Sequence, residues 1–323
     1  MSRAIVIHAN GGPEVLRLEA REVGAPGPGQ VKLQQAAIGL NFIDVYHRTG
    51  LYRMELPLTP GVEAAGVVTA VGEGVADFHP GDRVAYAGTV GAYAEERLIA
   101  ADKLVRVPDD IDFETAAAVL SKAGTAHYLL FEAWPFKPGD TMLVHAAAGG
   151  VGSFLVQWAS SAGATVIALA GSDEKVAGAR ANGAAFAFNS REDGWVRKVR
   201  EATGGRGVDV VYDGIGKATF EASLDCLRPR GLMVSYGNAS GPVTGVSLSM
   251  LQTRGSLYVT RPTTAHYYGD PESLRRTMAR VFGAVEAGHI RPSINQRFPL
   301  ARAADAHRAL EARATTGTTL LLP

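Results

Sequence analysis

Up to about residue 120 the apolar positions fall in short runs bounded by turn residues, at 4–7, 31–38, 63–71, 83–86, 92–99 and 103–107. Pro26-Gly27-Pro28-Gly29 and Pro80-Gly81-Asp82 punctuate these runs, so the pattern predicts the strands of a barrel or sandwich. From about residue 121 the rhythm changes. Apolar strands at 142–145, 165–169, 185–188, 208–212, 232–235 and 256–260 alternate with helical stretches at 151–162, 173–182, 192–202 and 217–227. Gly163 and Gly183 stand just past the first two helices, where a left-handed residue ends a helix. Such alternation implies right-handed βαβ crossovers and a parallel sheet. Residues 271–288 and 301–314 predict two more helices, and 318–322 a last strand. The fold class is α/β: a β-rich domain (1–122 and 264–323) interrupted by a doubly wound parallel-sheet domain (123–263).

Composition narrows the function. Hydrophobic residues make up 46% of the 323 and charged ones 20%, an ordinary globular mix. Thirty-two basic residues balance 32 acidic ones, so the basic footprint of a nucleic-acid binder is missing. Cys226 is the lone cysteine, which excludes an internal disulfide and a Cys-rich zinc site. No apolar run reaches the ~18 residues of a membrane span, and the first residues read as a strand rather than a signal peptide. A cytoplasmic enzyme is expected. The 38 glycines exceed the usual share and imply many tight turns or close backbone approaches.

The strongest chemical motif is His145-Ala146-Ala147-Ala148-Gly149-Gly150-Val151-Gly152. It lies between a predicted strand and a predicted helix, the context in which a glycine loop binds phosphate. Ala147, Gly149 and Gly152 fit A-x-G-x-x-G: Gly149 lets backbone approach a pyrophosphate and Gly152 lets the helix pack on its strand. The helix N-terminus then receives the anion. A plain glycine-rich turn has the same letters, but the surrounding alternation favours a dinucleotide site. NAD binders place a carboxylate at the end of the second strand. Here that strand ends on Ala170 and Gly171, both uncharged. Ser172 is a candidate N-cap, and Lys175 stands where a capping box would carry Glu. A cation there opposes the helix dipole unless an anion such as a 2′-phosphate visits. Alternatively, Asp173 and Glu174 simply neutralise it.

Four stretches carry a family resemblance: Gly39-Leu40-Asn41-Phe42-Ile43-Asp44-Val45-Tyr46-His47-Arg48-Thr49-Gly50, the loop at 145–152, Gly231-Leu232-Met233-Val234-Ser235-Tyr236-Gly237-Asn238, and Gly255-Ser256-Leu257-Tyr258-Val259-Thr260-Arg261-Pro262. From end to end the chain resembles a medium-chain dehydrogenase/reductase, which implies a GroES-like catalytic domain and a Rossmann domain. Zinc alcohol dehydrogenases of that superfamily carry Cys where this chain has Asn41, and Gly-His-Glu where it has Gly61-Val62-Glu63. Asn is a poor zinc ligand and Val is none. The four stretches instead resemble the zinc-independent quinone oxidoreductases, including the zeta-crystallin type.

That resemblance implies NADPH-dependent reduction of a quinone, or another conjugated carbonyl, without metal. It implies that Asn41, Phe42 and Ile43 lie near the nicotinamide, with Thr125 and Tyr128 lining the same cleft. Gly149, Gly150 and Val151 would hold the pyrophosphate. Gly171, Ser172, Lys175 and Ser190 would meet the adenosine ribose and its phosphate, joined by Arg313 from the C-terminal helix. Tyr236, Gly237, Asn238, Val259, Thr260 and Arg261 would lie along the cofactor. Relatives carry Tyr where Ser190 stands, and Ser cannot stack on adenosine.

For catalysis, the fold must hold the cofactor about 3–3.5 Å from the acceptor carbon. Asn41 or Tyr46 would donate a hydrogen bond to the developing oxyanion, and Tyr52 would line the acceptor pocket. Each also has a structural reading: Asn41 satisfying backbone, the tyrosines packing their rings. His47 and His145 read as scaffold. The same fold would also serve reduction of 2-alkenals, enones or enoyl thioesters, or NADPH binding without catalysis. The expected partners are a small molecule and a second copy of the chain, with no nucleic acid and no membrane insertion. The apolar stretch 255–260, last in the strand order, is an exposed edge that pairing into a homodimer would cover.

Overall fold

The computed structural model describes residues 1–323. Strands β1 (Ser2–Val6), β2 (Arg17–Arg21) and β3 (Gln30–Gly39) lead into helix α1 (Phe42–Thr49). Strands β4 (Glu63–Val71), β5 (Arg83–Ala87), β6 (Glu96–Ala100) and β7 (Val105–Arg106) follow, then helix α2 (Phe113–Tyr128). The alternating part runs β8 (Thr141–Val144), α3 (Gly150–Ser161), β9 (Thr165–Ala170), α4 (Asp173–Ala181), β10 (Phe186–Asn189) and α5 (Trp195–Ala202). It continues with β11 (Val208–Asp213), α6 (Phe220–Leu224), β12 (Leu227–Ser235), α7 (Leu248–Thr253) and β13 (Tyr258–Thr260). Helices α8 (Ala265–Tyr268) and α9 (Pro271–Glu286), strand β14 (Ile294–Pro299), helix α10 (Ala303–Glu311) and strand β15 (Thr318–Leu322) complete the chain. No helix is long and apolar enough to cross a membrane.

The chain divides into two compact units, one of residues 1–124, 268–283 and 292–323, the other of 125–267 and 284–291. The division differs from the expected borders chiefly in giving 284–291 to the second unit. Gln157 of α3 explains this. Its Oε1 accepts from Arg291 N–H at 2.7 Å and its Nε2 donates to Arg291 O at 3.2 Å.

In the first unit β14, β15, β3, β4, β5 and β7 lie side by side, β6 adds to β3, and β1 pairs with β2. Ile5, Leu33, Ile38, Tyr86, Tyr93 and Leu321 meet in its core. The β3–β4 register sets Gly39 opposite Glu63. In the second unit a parallel six-stranded sheet has the order β10-β9-β8-β11-β12-β13. Its direction of growth reverses between β8 and β11, the place where such sheets receive a dinucleotide. Met142, Leu143, Val144 and Val166 to Ala170 are buried without alternation, as central parallel strands require.

Several elements depart from the sequence pattern. Helix α2 begins inside the region read as strands, because Ala116, Ala117, Ala118, Val119, Leu120 and Ala123 are all buried and leave no polar face to mark a helical period. The expected strand at 92–99 is regular only over Glu96–Ala100. Ahead of it, Tyr93 N–H bonds to Pro60 O and Ala94 N–H to Ala92 O, which is not a ladder. The expected helix at 217–227 shrinks to Phe220–Leu224, since Leu227 already belongs to β12.

Candidate active site

The second unit gathers its candidate residues at the carboxyl ends of parallel strands. Past β8 the chain turns through Ala146, held at φ +49°, to Gly149, the N-cap of α3. Gly149 N–H closes the turn on Ala146 O at 2.8 Å. A Cβ on Gly152 would collide with Ala146 O and lie 2.9 Å from Ala147 Cα, so glycine is what lets α3 pack here. The first-turn N–H groups of α3, including those of Gly150 and Val151, have no helical acceptor and form a cradle that fits a phosphate.

At the end of β9 the uncharged Gly171 is followed by Ser172, whose Oγ accepts Lys175 N–H at 3.4 Å and caps α4. The Asp173 carboxylate is engaged by Asn189 Nδ2 at 2.9 Å. Ser190 spends both its N–H (2.8 Å) and its hydroxyl (3.2 Å) on Ala170 O. Arg191, which sequence reasoning passed over, brings Nε within 3.7 Å of where a Cβ on Gly171 would sit. Its only signal was a cation directly after the strand end that carries Ser190.

Tyr236, Gly237 and Asn238 follow β12, while Val259 and Thr260 close β13 and Arg261 follows. Arg261 Nη1 donates to Ser235 O at 2.7 Å, and with the Asn238 amide turned so that its oxygen faces the guanidinium, Nη2 donates to it at 3.0 Å. A Cβ on Gly237 would strike the backbone of Gly214. Thr125 and Tyr128 occupy the last turn of α2. The Tyr128 ring stacks on Tyr267 at 4.4 Å and 13°, and burial pushes its phenol up to about 12 despite hydrogen bonds with Thr264 and Thr125.

In the first unit Asn41 caps α1, with Asp44 reaching back to the Asn41 N–H at 2.9 Å. Glu63, wholly buried, accepts from Asn41 Nδ2 at 2.9 Å, from Ser121 N–H at 2.7 Å and from the buried Lys122 ammonium. Gly39 is glycine because a Cβ there would overlap the Glu63 carboxylate. Phe42 and Ile43 are half-buried. The Tyr46 ring meets Tyr52 edge-on at 5.2 Å and 63° and Phe42 at 6.2 Å.

Two family models match, one described as "Alcohol dehydrogenase GroES-like domain" over residues 27–109 and one as "Zinc-binding dehydrogenase" over 150–283. A Pseudomonas aeruginosa quinone oxidoreductase is 52% identical over all of both chains. A 2-haloacrylate reductase from a Burkholderia species is 46% identical over 100% of this chain and 99% of its own. The solved structure of Escherichia coli quinone oxidoreductase complexed with NADPH superposes with a TM-score of 0.97 at 45% identity, covering all of both chains. The chain belongs to the quinone oxidoreductases of the medium-chain dehydrogenase/reductase superfamily.

In this quinone oxidoreductase family member, the positions of the superfamily's zinc ligands hold a different arrangement. The Asn41 amide hydrogens face Glu63 Oε1 and, at 3.4 Å, Gly39 O. Asn41 is thus tied into the fold on its amide side, by a buried carboxylate and a backbone carbonyl. Lys122, which pairs with that carboxylate, was missed because nothing in sequence ties it to Glu63. Arg313 lies past the end of α10 rather than inside the expected helix at 301–314, at φ +58°, with its N–H on Leu310 O at 3.0 Å. His145 is buried, with Nε2 2.8 Å from Ser223 Oγ and its ring edge-on to Trp195 at 5.5 Å. Burial lowers its affinity for a proton, in keeping with a scaffold role.

Proposed function

We propose that this chain binds NADPH on the sheet of its second unit and reduces a quinone, with the acceptor-side groups supplied by α1 and Tyr52. The observation that carries this reading is the cradle made by Ala146, Gly149 and Gly152, followed by a second strand that ends without a carboxylate. NADPH, when bound, supplies the hydride. The first-turn N–H groups of α3 bind the pyrophosphate. Lys175 and Arg191 hold the 2′-phosphate, and Ser172 orients the turn between them. Arg261 clamps the ends of β12 and β13 through Ser235 and Asn238, which fixes Tyr236, Gly237 and Asn238 in place. Val259, Thr260, Thr125 and Tyr128 of the second unit pack along the cofactor. With Asn41 committed to Glu63, Tyr46 Oη is the donor to the acceptor oxygen. Phe42 and Tyr52 offer flat apolar faces suited to a planar ring.

A second reading, reduction of an alkene conjugated to a carbonyl, is favoured by the 2-haloacrylate reductase at 46% identity. A panel of 1,4-benzoquinone, 9,10-phenanthrenequinone and 2-alkenals with NADPH separates the two. Faster turnover of the quinones supports the first reading, and alkenals alone being reduced supports the second. The protein acts as a cytoplasmic homodimer joined along β13.

A further inference from the structure

Beneath α1 the first unit holds a chain of polar side chains, buried from Arg48 inward and ending outward on the exposed Glu311, that the reaction leaves unused. Glu311 grips the Arg48 guanidinium at two points, Nη1 to Oε2 at 2.9 Å and Nη2 to Oε1 at 2.8 Å. Arg48 Nη1 is also 3.1 Å from His307 Nδ1, His307 Nε2 is 3.0 Å from Tyr93 Oη, and Tyr93 Oη is 2.9 Å from Asp44 Oδ2. The same Oδ2 accepts the Asn41 N–H at 2.9 Å. Arg48, His307, Tyr93 and Asp44 are all buried.

Chemistry fixes the direction of each bond. A guanidinium has only donors, so His307 Nδ1 accepts and its proton resides on Nε2. Nε2–H then donates to the Tyr93 oxygen, and the Tyr93 O–H donates to Asp44. Beyond His307 the bonds run towards one carboxylate oxygen. The other, Oδ1, is sealed from water and has no partner, a state that few buried polar atoms share. Solvating the carboxylate would have engaged both oxygens. The arrangement instead aims one of them at the start of α1.

We infer that Asp44 is a positioning residue: the Glu311–Arg48–His307–Tyr93 chain holds its carboxylate, and the carboxylate holds the Asn41 end of α1, the helix that carries Tyr46. The ionisable groups around it are Tyr93, Arg48 of α1, His307 of α10, Glu63 of β4 and Lys122 of α2. Burial pushes the Asp44 carboxyl up to about 7 and pulls His307 down to about 3, while Tyr93 is held well above the usual phenol range. Of these three, Asp44 is the one that changes charge near neutrality. The ionised carboxylate grips Tyr93 and Asn41 more strongly than the acid does, so acidification loosens the head of α1.

This rests on the placement of Tyr46 as the acceptor-side donor. It is tested on the full chain by kcat from about pH 6 to 8 with NADPH and 1,4-benzoquinone, and by amide exchange of α1 without cofactor. In the unmutated protein kcat falls as pH drops through about 7. Asp44→Asn flattens that profile and speeds exchange of the first turn of α1 about fivefold or more, while the Kd of NADPH stays within about twofold. Tyr93→Phe removes one donor to the carboxylate and so moves the midpoint of the profile upward. That variant carries the test if Asp44→Asn does not fold. An unmoved midpoint in Tyr93→Phe, or unchanged α1 exchange in whichever variant folds, overturns the inference. If only the placement of Tyr46 is at fault, Tyr46→Phe leaves kcat intact while the exchange response to Asp44→Asn or Tyr93→Phe persists.

Discussion

Lys175 sits in the first turn of α4, where the helix dipole disfavours a cation by roughly 0.3–1 kcal/mol. Asp173, one of its two acidic neighbours, is occupied by Asn189, and Arg191 adds a second cation at the end of β9. A charge-assisted hydrogen bond to a phosphate contributes about 1.5–3 kcal/mol. Lys175→Ala should therefore raise the Michaelis constant for NADPH about tenfold and leave that for NADH nearly unchanged. Arg191→Ala should act in the same direction by a smaller factor, because it is exposed and screened, and added salt should shrink both effects. Gly152→Ala belongs to the same scale. Its methyl has backbone on two sides, so overpacking should destabilise the chain by about 1–3 kcal/mol in denaturant titrations and weaken NADPH binding. Gly152 was legible from the sequence, since its role follows from its place between a strand and a helix. Asp44, Tyr93, Lys122 and His307 were not. Their chemistry arises where distant segments meet, as when Arg48 of α1 meets His307 of α10, and no local pattern announces that.

At the scale of elements, helix ends were easier to read than helices. Gly163 and Gly183 adopt φ +88° and +104°, the left-handed geometry that glycine supplies without strain. Helix α1 escaped notice because its start is written in side-chain hydrogen bonds around Asn41 and Asp44, and α2 because burial erased its polar face. The edge strand β13 was foreseen, and the structure puts it last in the sheet with Tyr258 59% and Val259 38% exposed. A strand edge of this kind invites pairing with its own twin. Sedimentation should give twice the 33.9 kDa of one chain. Tyr258→Lys should shift the species towards monomer while leaving NADPH binding in place. A wild-type monomer at micromolar concentration would contradict the edge-pairing account.

For the molecule as a whole, two groups of the buried chain oppose each other in pH. His307 has its proton affinity lowered to about 3 on folding, so the unfolded chain binds the extra proton and stability is lost as pH falls below about 6.5. Asp44 is raised to about 7, so the folded chain keeps a proton that the unfolded chain gives up. Its stability is lost as pH rises from about 4 to 7. The two slopes largely cancel across their shared window. Removing one should expose the other, at up to about 1.4 kcal/mol per pH unit. In urea titrations His307→Gln should lose stability as pH rises through this range, and Asp44→Asn should lose it as pH falls. Parallel slopes in the two variants would show that the groups titrate outside the fold. Hydride transfer from NADPH to a quinone without a metal centre is checked by initial rates of NADPH oxidation with 1,4-benzoquinone before and after exhaustive chelation. The rate should be unchanged and should exceed the rate with NADH by about tenfold at low salt. A rate that vanishes on chelation and returns with zinc, or equal use of the two cofactors, would contradict it.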